Sequence, residues 1–171
     1  YKAAFFAYNL SKNLRKKDLL DDAYVGGILH DMGKIIFSSV HPALLDKITN
    51  FVKDRDIRRN FIEDLSAGLN HAEIGAMIAE KWNFPDVLIE AIRYHHEPDR
   101  CSEAYKDAVY TVYLANTLCN IDTESISYEM VDKNVLRTFG IKSEEQFFTV
   151  RDRLESAFSR ELEPDARENF A

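Results

Sequence analysis

The chain has 171 residues, 46% apolar and 12% aromatic, which is enough to bury a core and too apolar for a disordered chain. Its formal charge of −7 excludes a protein that grips nucleic acid by neutralising phosphates across a basic face. No apolar run approaches the ~20 residues of a membrane helix, and Cys101 and Cys119 lack the spacing of a zinc finger or a disulfide framework, so a soluble cytoplasmic protein is expected.

Helical periodicity dominates from the first residues. Ala3, Phe6, Ala7, Leu10 and Leu14 form one stripe, and because no methionine or capping residue precedes it the sequence reads as a fragment of a longer chain. A second helix runs through Ala23, Gly26, Gly27 and His30 until Gly33 interrupts it. Shorter helices are expected near 42–53 and 57–67. Asn70 is placed to cap the helix that begins at His71, with Glu73 three residues on as its capping-box partner. Pro85 suits the first position of a helix over 85–96, in which Leu88, Ala91, Ile92 and His95 share one face.

The segment AVYTVYLANTLCN is rich in β-branched and aromatic residues, yet Val109, Val112, Tyr113 and Asn116 fit a helical face and no second strand exists to pair with it. It is read as a helix. Two more helices follow, near 131–139 with Gly140 as the stop and from about 143 to 160. The fold class is therefore all-α, with residues 1–160 as a single multi-helix bundle and 161–171 as a polar tail.

Of the five histidines, His30, His71, His95 and His96 lie within or beside apolar helical segments, whereas His41 precedes a proline and is read as surface. One buried histidine is ordinary, because neutral imidazole is tolerated if its nitrogens find partners. Four of them with Asp31 are not easily satisfied separately, and an unpaired buried carboxylate would cost several kcal/mol or protonate. A shared divalent cation (Fe, Mn, Zn or Ni, as one or two ions) satisfies all five groups at once. The tandem His95-His96 can reach one cluster only if the helix ends there, since adjacent helical residues diverge by about 100°. Pro98 provides a reason for it to end.

LLDDAYVGGILHDMGKIIF and NHAEIGAMIAEKWNFPDVLIEAIRYHHEP, in that order, resemble the HD superfamily of metal-dependent phosphohydrolases, and within it the HDOD branch (HD-related output domain) of bacterial signalling proteins. The resemblance spans roughly residues 1 to 120, with VLRTFGI in keeping, and it implies an HD-domain-like bundle. It also implies metal ligation by His30 and Asp31, with His71, His95 and His96 as further ligands. Two departures stand out: the first helix from Tyr1 onward holds no histidine where the family has one, and Asn116 stands at the late aspartate position. An amide coordinates weakly, carries no charge and cannot serve as a general base. EPDRCSEAYK also lacks the DGxGYP loop of cyclic di-GMP phosphodiesterases.

The resulting expectation is a signalling output or adaptor module on a phosphohydrolase scaffold, non-catalytic, with a protein partner or fused signalling domain and no nucleic-acid or membrane partner. Two alternatives compete with it. One is an active metal-dependent phosphohydrolase on a nucleotide or phosphodiester, in which Asp31 and Lys34 would serve the chemistry. The other is a histidine-rich bundle for oxygen or redox chemistry.

Overall fold

A computed structural model of the chain describes residues 1–14, 18–35, 70–122 and 126–162. The helices expected near 42–53 and 57–67, and His41, lie outside these residues. The described residues hold no strand, and their helices are α1 (Lys2–Ser11), α2 (Leu19–Leu29), α3 (His71–Lys81), α4 (Asp86–Tyr94), α5 (Lys106–Asn120), α6 (Lys133–Thr138) and α7 (Glu144–Leu162), joined in part by short 3-10 turns, with residues 32–35 helical as well.

The centre of the bundle is α5, whose Val109, Val112, Leu114, Ala115 and Leu118 are buried. The β-branched residues that gave this segment a strand-like composition fill the gaps between helices. α1, α2 and α4 all pack against it. Close approach is set by small residues: a side chain at Gly27 would meet the Ala4 backbone at 2.6 Å, and one at Gly26 would meet Val112 at 3.0 Å and Ala91 at 3.4 Å.

α7 returns along α1 through Phe158, whose ring lies 5.4 Å from Phe5 and 6.5 Å from Phe6, with a Lys2–Glu155 ion pair beside it. Phe6 and Phe147 are fully buried, and burial on this scale stabilises by about 1.5–3 kcal/mol per side chain.

Helix ends follow local chemistry. α3 stops where Asn83 adopts φ 55°, with Phe84 N–H donating to Ala79 and Asn83 N–H to Glu80, so the chain turns into Pro85. α6 stops in the same way at Gly140, φ 69°, with Ile141 N–H donating to Leu136. Pro85 sits just before α4 as its cap, one position earlier than the sequence pattern suggests.

Candidate metal centre

Three chain turns meet at one point beneath α5. α2 ends with His30 as its cap, the His30 N–H donating to Gly26 at 2.9 Å, and Asp31 occupies the turn that follows. This turn lies directly on the start of α3: a Cβ at Gly33 would stand 1.8 Å from the His71 carbonyl oxygen and 2.8 Å from the Gly75 nitrogen. Only glycine permits that approach.

At the start of α3, Asn70 caps by accepting from Glu73 N–H at 2.9 Å, which fixes His71 in the first turn, fully buried. The Glu73 carboxylate is directed to Arg93, 3.4 Å away, and not back to the cap. α4 ends at Tyr94, so His95 and His96 lie past its last turn and both rings turn inward, 4.0 Å apart by centroid. Pro98 opens the 3-10 turn that follows. The divergence of adjacent helical residues is thus removed by ending the helix.

Among the described residues, Asp31, His71, His95 and His96 place their donor atoms within 4.8 Å of one another. His71 Nε2 lies 3.3 Å from His95 Nε2, 3.1 Å from His96 Nε2 and 3.3 Å from Asp31 Oδ1. Asp31 Oδ1 is 3.6 Å from His95 Nε2. It is buried without a hydrogen bond.

The His95 ring is held through Nδ1, 2.6 Å from the Ile92 carbonyl, so Nδ1–H donates there and the Nε2 lone pair faces the cluster. Burial, above all, pushes His95 down to about 4 and His96 well below the usual imidazole range, so both stay neutral and able to ligate. Burial opposes ionisation of Asp31, but the imidazoles of His71 and His95, with His30 and Lys34, hold its carboxyl far below the ordinary range.

These residues fit a cation. Donors on a tetrahedral ion at about 2.1 Å stand about 3.4 Å apart, close to the 3.1–3.6 Å that separates His71 from His95, His96 and Asp31 and Asp31 from His95. The set of three imidazoles and one carboxylate suits zinc, iron, manganese or nickel.

His30 stands apart from this group. It is buried, its Nδ1–H donates to Gly27 at 3.0 Å, and its Nε2 lies 3.3 Å from Asn116 Oδ1 and 3.4 Å from Asp31 Oδ2. Asn116, also buried, accepts on that same oxygen from Asn120 Nδ2 at 2.6 Å. Lys34 donates to Asp31 Oδ2 at 2.8 Å. All six expected metal-site positions and Lys34 therefore gather in one region, with His30 and Asn116 forming a pair on one side.

Sequence reasoning overlooked Asn120 and Gly75, and read Gly33 only as an interruption. The signal for Asn120 was its spacing of four from Asn116 in an otherwise apolar helix.

Residues 1–98 match the HDOD domain family. The chain belongs to that family. An uncharacterized protein of Treponema pallidum is 36% identical over 162 residues, which are 94% of this chain and 31% of that protein, so the chain spans about a third of that relative's length. The fold is shared with an HDOD domain protein of unknown function from Geobacter sulfurreducens (TM-score 0.73, 19% identity, covering 93% of this chain and 57% of the other). It is shared also with a Marinobacter aquaeolei chain bearing a provisional signal-transduction name (TM-score 0.72, 23% identity, 93% and 37%). A Shewanella amazonensis chain with a provisional phosphohydrolase name is similar in the same way (TM-score 0.66, 24% identity, 91% and 56%).

Proposed function

We propose that this HDOD chain is a non-catalytic output or adaptor module of a bacterial signalling protein, in which Asp31, His71, His95 and His96 hold one divalent cation. The observation that carries this reading is the Asn116 amide, 3.3 Å from His30 and engaged by Asn120. It brings neither the anionic ligand nor the base that metal-assisted hydrolysis of a phosphoester requires. When bound, the ion would supply Lewis-acid charge that neutralises Asp31. The residues around it tie the end of α2, the start of α3 and the end of α4 together.

The approach to the centre supports the same reading. A cleft of about 350 Å³ beside His96 and Asn116 is lined also by Glu97, Asp99, Arg100 and Asp132. Arg100 is already paired with Glu97 at 2.6 Å, so a phosphate anion entering there meets an excess of carboxylates. Residues 1–160 are taken as one helical domain, whose last helix runs on to Leu162. A protein partner or fused signalling domain, and a cytoplasmic location, accord with the greater length of the Treponema relative, the free cysteines, and the described helices, none long and apolar enough to cross a membrane.

The partly exposed His96, on the wall of that cleft, favours a second reading as a metal-dependent phosphohydrolase. One assay separates the two: hydrolysis of bis(p-nitrophenyl) phosphate with added manganese. The adaptor reading predicts no rate above the metal blank. A rate that disappears in His30→Ala would establish the enzyme instead.

A further inference from the structure

The Asp31 carboxylate faces two ways. Oδ1 points to His71 and His95, at 3.3 and 3.6 Å, while Oδ2 points to Lys34 and His30, at 2.8 and 3.4 Å. On the Oδ2 side three further donors converge, His30 Nε2, Asp31 Oδ2 and Asn116 Oδ1, with His30 standing 3.3–3.4 Å from the two oxygens. Those two separations are of the size that donors on one ion have. The two sides differ in what already stands there.

We propose that Lys34 is a built-in cation: its ammonium takes, on the Oδ2 side of Asp31, the place of a second metal ion, and thereby limits the centre to one. This rests on the metal centre proposed above. Lys34 lies in the helical stretch 32–35 that follows the turn, its N–H donating to the Asp31 carbonyl at 2.9 Å, which places the i and i+3 side chains together. Its side chain is about a third exposed, so the stem can reach in from the surface while the ammonium rests on the acid.

The charge balance argues the same way. Asp31 is the one carboxylate in the cluster, and Asn116 contributes no charge. One carboxylate beside one dication and one ammonium already leaves net positive charge, and a second dication would add two more in a largely buried pocket. The ammonium reaches Oδ2 with no loss of a hydration shell as tight as a dication's, and it is always at hand.

The test is zinc stoichiometry, measured by elemental analysis after chelation, zinc loading and desalting, with folding followed by circular dichroism. Wild type and Lys34→Arg, which keeps the charge, should each retain one equivalent. Lys34→Met should bind that ion about tenfold more tightly, because a like charge is gone. Asn116→Asp with Lys34 kept should still retain one equivalent, and Asn116→Asp combined with Lys34→Met should retain two. Two equivalents in wild type or in Asn116→Asp alone, or one in the folded double variant, would overturn the role of Lys34 while leaving the four-donor centre intact. No zinc in any of the five proteins would overturn the centre and this inference together.

Discussion

Gly33 lies against His71 so closely that a methyl group on it would overlap the His71 carbonyl oxygen, at 1.8 Å. This contact fixes how far the Asp31 carboxylate sits from the first turn of α3. The position of Asp31 beside His71 is thus set by backbone packing.

Gly33→Ala should therefore force the turn and α3 apart. A loss of about 3 kcal/mol in urea denaturation is expected, at the upper end of what overpacked cores with backbone shifts typically cost. Zinc affinity should fall with it. Gly140→Ala offers the contrast, because its methyl would enter open space and only φ 69° opposes it. A cost of about 1 kcal/mol and unchanged zinc binding are expected there. Equal effects from both substitutions would refute the packing argument.

Asn70→Ala removes the oxygen that accepts from Glu73 N–H and so frays the turn that carries His71. It should cost about 1 kcal/mol of stability. Asn70→Ser should restore most of both stability and zinc affinity, a rescue that simple loss of a surface contact would not show.

Asp31→Asn keeps the shape of the side chain and removes its charge. Zinc should bind more than about a hundredfold more weakly, beyond what loss of an outer-shell partner costs. Competition with a fluorescent chelator measures it, and an unchanged affinity would show that Asp31 is no ligand.

The two thiols should be sluggish in the folded protein. Burial pushes Cys119 up to about 12 and Cys101 up to about 11, so the thiolate fraction at pH 8 is small. Alkylation by iodoacetamide should be at least about a hundredfold slower than in urea, where thiols titrate near 8.5. The rate should climb about tenfold per pH unit up to the limit of folding. Immediate labelling of both cysteines at pH 8 would contradict this.

Much of the arrangement was legible in the residues because it rests on short-range chemistry. The His-Asp pair ended an apolar helix, Asn70 and Glu73 marked the start of the next, and Pro98 foretold the opening that lets His95 and His96 face one cluster. The helical reading of AVYTVYLANTLCN held for a reason propensity does not contain: α5 is surrounded by other helices, so β-branched side chains serve as packing. What spacing alone could not reveal is long-range. Asn116 and His30 are 86 residues apart, and that their side chains would meet follows only from α2 crossing α5. Nor did composition disclose that Gly33 is a point of contact, because the partner backbone belongs to α3.

Cobalt(II) titration of the chelated protein tests the central claim most directly, since tetrahedral cobalt gives intense visible bands that octahedral cobalt lacks. The bands should saturate at one equivalent, disappear in Asp31→Asn and His95→Ala, and be displaced by zinc. Folded wild-type protein that binds no cobalt, or binds it with bands indifferent to both substitutions, would contradict it.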